Sequence, residues 1–229
     1  MNASLATSAA CPSAQPDHFV HDRLPPAEQC AEMLYDLPGL QIPAQANLVD
    51  VLFAKASSQG LSDRPFLRSD KQTLTYAEAE QQVARIAQVL TEDFALVPGN
   101  RVLLRGGNSV GMALAWLGVV RAGLVAVATM PLLRAKELGE VIEKSVVSFA
   151  LCDASLLDEL KSAQAQSDTL KTVTAFNQPG EAGSLETLAS SKNGTVKPCL
   201  TAADDIAMMA FTSGTTGKPK AVVHTHRDV

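Results

Sequence analysis

The sequence predicts an α/β fold, a parallel sheet flanked by helices with a small hairpin set ahead of it. Three observations carry this. From Pro98 onward, short strand-like runs alternate with helical segments, a pattern that implies parallel pairing with right-handed crossovers. Phe66-Leu-Arg68 and Thr73-Leu-Thr75, joined by Ser69-Asp-Lys-Gln72, read as two hairpin strands. Across 229 residues, 46% are hydrophobic and 19% charged, which suits a soluble chain able to bury a core.

The elements follow in order. Residues 1–17 are rich in Ala and Ser but have neither a basic start nor a continuous apolar core, so a disordered tail is expected and not a secretory signal. Residues 18–229 are expected to form the folded body. Residues 19–43 contain several prolines and a helical candidate at 26–35, which reads as an arm on a larger body. Asn47 is placed to cap a helix with Leu48, Val51 and Leu52 on one face. After the hairpin, Thr75-x-x-Glu78 forms a capping box for a helix whose Val83, Ile86, Ala87 and Leu90 make an apolar stripe.

The alternation then runs through strand 101–105, helix 109–122, strand 124–129, helix 135–144, strand 148–152, helix 155–164 and strand 173–176. Asn108, after Gly106-Gly107, is expected to cap the helix that follows it. Residues 177–200, with their Gly, Pro, Ser and Lys content, read as an irregular surface excursion before the sheet resumes at Ile206.

Composition excludes several functions. A net charge of −5, with Lys and Arg scattered singly, argues against a nucleic-acid surface or a patch for anionic membranes. Cys11, Cys30, Cys152 and Cys199 form no C-x-x-C pair, so neither a zinc site nor a disulfide scaffold is expected, and a reducing, cytoplasmic setting fits best. Residues 112–130 are apolar, but Arg121 interrupts them and Arg121-Ala122-Gly123 reads as a helix end, so a buried helix and strand are expected in place of a membrane span. The chain shows no Ser-His-Asp order, no H-E-x-x-H and no carboxylate pair of the hydrolase kind. His224 and His226 share a strand face without a third ligand nearby, so a structural or helix-capping role is expected and no metal site. Trp116 and the methionines read as core.

The most informative stretch is Phe211-Thr-Ser-Gly-Thr-Thr-Gly-Lys-Pro-Lys220, set directly after an apolar run that begins at Ile206. Gly214 and Gly217 let the backbone approach an anion; Thr212, Ser213, Thr215 and Thr216 supply hydroxyls, and Lys218 and Lys220 supply charge. A polyphosphate is the expected guest. The spacing is not that of the G-x-x-x-x-G-K-[ST] loop of nucleotide hydrolases, because Lys218 precedes Pro219 and the following Ala221-Val-Val-His224 has β character. The reading is strand, glycine-rich loop, strand, which suits substrate positioning more than simple nucleotide hydrolysis.

Thr212-Ser-Gly-Thr-Thr-Gly-Lys-Pro-Lys220, followed by Thr225-His226-Arg227, resembles the signature loop of the adenylate-forming (AMP-binding) enzymes, which include acyl- and aryl-CoA ligases, adenylation domains of peptide synthetases and luciferases. The resemblance implies that 18–229 is the N-terminal part of the large domain of such an enzyme, incomplete at its C-terminal side. It further implies a phosphate clamp of Thr212, Ser213, Gly214, Thr215, Thr216, Gly217 and Lys220, with Lys220 as the catalytic residue and Lys218 at a variable position. ATP, Mg²⁺ bridging its phosphates, and coenzyme A as acceptor are implied with it.

The family's Tyr-Gly-x-Thr-Glu segment, ribose-binding aspartate, hinge and C-terminal lysine do not occur in these residues, so a chain continuing past Val229 is expected and residues 1–229 alone are expected to be inactive. His21-Asp-Arg-Leu-Pro-Pro26 and Met130-Pro-Leu-Leu-Arg-Ala-Lys-Glu-Leu138 are similar to segments of benzoate-type ligases, especially 2-aminobenzoate–CoA ligase. They imply an aromatic acid as the small-molecule substrate. An adenylation domain serving a carrier protein, and an inactive truncated fragment, remain as alternatives.

Overall fold

The computed structural model describes residues 11–30, 42–212 and 219–229. Helix α1 (Leu48–Ser58) opens at Asn47, whose side chain accepts from the Val49 N–H. Leu48 and Leu52 pack partly against the core as expected, but the centre of the buried face is shifted. Val49, Phe53 and Ala56 point inward at i, i+4, i+7 spacing, whereas Val51 lies off that stripe and is 44% exposed.

Strands β1 (Pro65–Arg68) and β2 (Thr73–Thr75) pair antiparallel as expected, and the Ser69 hydroxyl accepts from the Lys71 and Gln72 N–H groups to close the turn. The capping box is present. Thr75 Oγ1 accepts from the Glu78 N–H while the Glu78 carboxylate accepts from the Thr75 N–H at 2.8 Å, starting α2 (Tyr76–Gln88). Val83, Ile86, Ala87 and Leu90 are all buried, and the helix runs on into a π turn at Val89–Asp93.

The main sheet contains β3 (Arg101–Arg105), β4 (Val125–Thr129), β5 (Phe149–Asp153), β6 (Thr172–Phe176), β7 (Ile206–Thr212) and β8 (Lys220–Thr225). They lie in the order β6-β5-β3-β4-β7-β8. All neighbours are parallel except β8, which returns antiparallel to β7. Between them run α3 (Val110–Arg121), α4 (Ala135–Ser145), α5 (Leu157–Gln164) and α6 (Leu185–Ser190).

Alternate side chains along each strand enter opposite cores. Val102, Leu104, Ala126, Phe149 and Leu151 pack with α1, α2, α3 and α6; Leu103, Val125, Val127, Ala150 and Cys152 pack with α4 and α5. Covering on both faces is why β3, β4 and β5 are apolar between their ends.

Three local expectations are corrected. Helix α3 is capped by Ser109, whose hydroxyl accepts from the Met112 N–H at 3.1 Å, and Asn108 lies exposed one residue too early. The excursion at 177–200 contains α6, capped by Ser184 and anchored by buried Leu185 and Ala189; so short a helix carries little periodic signal. Residues 11–17 belong to the folded body and not to a disordered tail. Gln15 is 1% exposed; its Nε2 donates to the carbonyls of Ile206 (2.7 Å) and Gly123 (3.2 Å), and its Oε1 accepts from the Ile206 N–H. Residues 1–10 of that expected tail, and 31–35 of the helical candidate at 26–35, lie outside the described residues; its first half carries a 3-10 turn at Ala27–Gln29.

The stretch 112–130 is a buried helix and a central strand, as expected. It turns at Gly123, whose φ of +74° suits glycine and where a Cβ would stand 2.6 Å from the Cys199 sulfur. No helix among the described residues is long and apolar enough to cross a membrane.

Candidate functional site

The ladder between β7 and β8 pairs Thr212 with Lys220, so the glycine-rich segment leaves and re-enters the sheet at one point. Ser213, Gly214, Thr215, Thr216, Gly217 and Lys218 lie outside the described residues. The neck lies at the carboxyl edge of the parallel strands, because β7 runs parallel to β4, with Ala210 opposite Ala128, and β4 runs parallel to β3. In open α/β sheets this edge is where ligands bind.

A cavity of about 270 Å³ opens beside the neck, between the end of β4, the first turns of α4 and the ends of β7 and β8. Its wall is apolar at Met130, Leu133 and Phe211, and its rim carries Thr129, Thr212 and Glu137. Lys220 is exposed and forms no ion pair with a described residue, which leaves its ammonium open to an incoming anion. The return strand is tied down from α4, where Lys144 Nζ donates to the Pro219 carbonyl at 2.6 Å. Sequence reasoning passed over Lys144, since a lone lysine in the last turn of a helix looks like an ordinary C-terminal charge.

Beyond β8 the chain is pinned by main-chain bonds from His226 to Asp205 and from Arg227 to Ala203. The Arg227 guanidinium also meets the Asp204 carboxylate at 2.8 and 3.0 Å. His226 is 3% exposed and its Nδ1 accepts from the Leu48 N–H at 3.2 Å, satisfying one of the open donors at the start of α1. Burial pushes its pKa down to about 4, with the Asp205 carboxylate opposing more weakly. The structural, helix-capping reading of this histidine therefore stands, and no group of three or more His, Cys, Asp or Glu among the described residues is arranged to hold a metal.

A second polar cluster at the same sheet edge also went unnoticed in the sequence. Asn177, at φ +59°, donates through its side chain to the Asp153 carboxylate at 2.5 Å and to the Ser109 hydroxyl at 3.1 Å. Burial acts to raise the Asp153 pKa, but bonds from Ser155 and Asn177 outweigh it and hold the carboxyl below its usual range. The ends of β5 and β6 are thereby tied to the start of α3, with β3 and β4 lying between them and the neck.

Residues 53–229 match the family described as AMP-binding enzyme. The chain belongs to that family. This AMP-binding chain is 30% identical over 181 residues to the 3-hydroxybenzoate–CoA ligase of Aromatoleum sp. (strain CIB), an alignment covering 79% of this chain and 34% of that protein. Its structure superposes on a benzoate CoA ligase from Burkholderia xenovorans LB400 with a TM-score of 0.70 at 25% identity, over 79% of this chain and 35% of the other. It also superposes on the anthranilate CoA ligase AuaEII in complex with anthranoyl-AMP, with a TM-score of 0.75 over 81% of this chain and 36% of the other; at 19% identity that likeness is one of fold. The chain spans about a third of the length of the curated relatives it matches.

Proposed function

We propose that the protein carrying this chain joins a carboxylic acid to AMP at the expense of ATP and passes the acyl group to coenzyme A. The observation that carries this is the pairing of Thr212 with Lys220 at the neck of a hydroxyl- and glycine-rich segment, at the carboxyl edge of a parallel sheet. A carboxylate is a poor electrophile, and ATP supplies the adenylyl group that turns it into a mixed anhydride with a good leaving group.

The chain's own residues hold the departing phosphates. Thr212 and Lys220 present a hydroxyl and an ammonium from opposite strands, and Ser213, Thr215, Thr216 and the main chain at Gly214 and Gly217 complete the cradle. Lys220 stabilises charge that grows on pyrophosphate as the bond to the α-phosphate breaks. Mg²⁺ arriving with ATP would offset the charge of the phosphates that Thr212 and Lys220 are proposed to hold.

An aromatic acid is the preferred substrate, supported by the 3-hydroxybenzoate- and benzoate-directed relatives; 2-aminobenzoate is the finer candidate. The free cysteines and the need for ATP and coenzyme A support a cytoplasmic setting. The test is thioester formation from benzoate, 3-hydroxybenzoate, 2-aminobenzoate and a fatty acid, followed by mass spectrometry on the complete polypeptide with ATP, Mg²⁺ and coenzyme A. Aryl-CoA products are expected. Products from the fatty acid alone would sink the aromatic reading, and acyl transfer only to a carrier protein would sink coenzyme A as the acceptor.

A further inference from the structure

Arg105 ends β3 at the carboxyl edge of the sheet and is 1% exposed, yet it forms no ion pair with a described carboxylate. Its guanidinium instead donates to main-chain carbonyls. Nε reaches Leu156 O at 3.3 Å, Nη1 reaches Met130 O at 3.3 Å, and Nη2 reaches Pro131 O at 3.1 Å and Leu133 O at 2.9 Å. Burying a cation with no carboxylate in direct contact is costly, and Glu159 acts on it only at longer range, so the arrangement depends on those carbonyl dipoles being held where the fork of donors meets them.

Three of the four acceptors lie in the segment 130–133, which links β4 to α4 and closes on itself through a bond from Leu133 N to Met130 O at 3.2 Å. Within the segment Leu133 packs partly against the core shared with α4 and α5, and the residues before it do not. Met130 is 64% and Leu132 82% exposed. Its two ends are nonetheless registered to the sheet and to α5. Thr129 Oγ1 donates to Leu104 O at 3.0 Å, and the Glu159 carboxylate accepts from Arg134 and from the Ala135 N–H, each at 2.8 Å. Between those ends the carbonyls of 130, 131 and 133 are held by the guanidinium.

This same segment supplies Met130 and Leu133 to the cavity wall that faces Phe211 and Thr212. We propose that Arg105 is a positioning residue of the site: by holding the carbonyls of 130, 131 and 133 it sets the wall opposite Thr212 and so the shape of the cavity that receives ATP. The inference rests on the ATP-dependent reading above. It also explains the residue type, because lysine offers its donors from a single nitrogen and cannot span carbonyls spread over two loops.

The test uses Arg105→Lys, Arg105→Gln and Met130→Ala in the complete polypeptide, read by steady-state kinetics, thermal unfolding and hydrogen exchange of residues 128–135 with and without ATP. The Arg105 variants are expected to exchange faster at 128–135, to lose the protection that ATP gives the wild type there, and to raise KM for ATP by about 3–10-fold, with kcat changing less. Met130→Ala keeps the clasp and trims the wall, so KM for ATP rises while exchange of the free protein stays as in the wild type. A lower melting temperature with unchanged KM for ATP in all folded variants would make Arg105 merely structural and overturn the proposal. Wild type that gains ATP protection at 128–135, lost in Arg105→Lys, but forms no acyl-adenylate from any acid would sink acid activation and leave the positioning role standing. Absence of ATP protection in the wild type overturns the positioning role directly.

Discussion

Thr212 and Lys220 are direct partners in the antiparallel ladder of β7 and β8. Directly opposed residues of a ladder project to the same face of the sheet, so a hydroxyl and an ammonium stand side by side where the glycine-rich segment begins and ends. That geometry is fixed by main-chain pairing on both sides and does not depend on the conformation of the segment between them.

Lys220→Met is therefore expected to lower kcat/KM for ATP by about 10–100-fold, the loss of one charge-assisted bond of roughly 1.5–3 kcal/mol. Because Lys220 is exposed, the melting temperature should stay near that of the wild type. Lys220→Arg should recover part of the activity. Thr212→Ala, which removes a neutral donor, should cost about 3–10-fold. Steady-state kinetics with ATP varied checks all three.

Lys144 acts at one remove, by holding the Pro219 carbonyl and so the start of β8. Its bond is exposed to solvent, which limits its worth. Lys144→Met should raise KM for ATP by about 2–5-fold and leave kcat within a factor of two. A large fall in kcat with KM unchanged would contradict this role.

Much of the fold was legible in the sequence because its signals are local. Thr75 and Glu78 announce a capping box three residues apart, and the alternation after Pro98 sets strands and helices within a residue or two of where they lie. The strands on either side of the glycine-rich segment were legible for the same reason, in the apolar run from Ile206 and the β character of Ala221-Val-Val-His224. What escaped depends on partners distant in the chain. Gln15 looks like a tail residue until Ile206 is brought beside it, and Arg105 looks like a strand-end charge until 130–133 and Leu156 fold over it. Val51 was misassigned because neighbouring apolar residues in α1 allow more than one stripe, and tertiary packing chose the one through Phe53.

Gln15→Ala should destabilise the fold by about 2–4 kcal/mol, since it removes the side-chain partners of Ile206 and Gly123 in a buried position. Urea unfolding measures this. A change within experimental scatter would show that the Gln15 bonds contribute nothing to the stability of the sheet.

The fold should also weaken in mild acid through His226. Its pKa in the folded chain is about 4, below the 6.5 of the unfolded chain, so between these values the unfolded form takes up a proton that the folded form excludes. The stability it supports is complete above pH 6.5 and is lost as the pH falls toward 4, by up to about 3 kcal/mol. Asp17 and Asp153, held below the usual carboxylate range, add their losses only at lower pH, below about 3.8. His226→Asn keeps an acceptor near the Leu48 N–H but does not titrate. It should be less stable than wild type at pH 7 and show a flatter profile between pH 6.5 and 4 in urea unfolding.

Gly123→Ala is expected to cost about 1–3 kcal/mol, because φ is +74° there and the new Cβ would meet the Cys199 sulfur at 2.6 Å. Pairing it with Cys199→Ala should recover only part of the loss in thermal unfolding, because the sulfur contact goes but the Cβ of residue 199 still stands 2.9 Å from the new one and the backbone strain remains.

The most direct measurement is exchange of labelled pyrophosphate into ATP by the complete polypeptide, with and without an aromatic carboxylic acid, in wild type and Lys220→Met. Exchange that requires the acid and falls by about 10–100-fold in the variant is the expected result. Exchange that is independent of any acid, or that is unchanged when Lys220 is replaced, would contradict acid activation at the neck between β7 and β8.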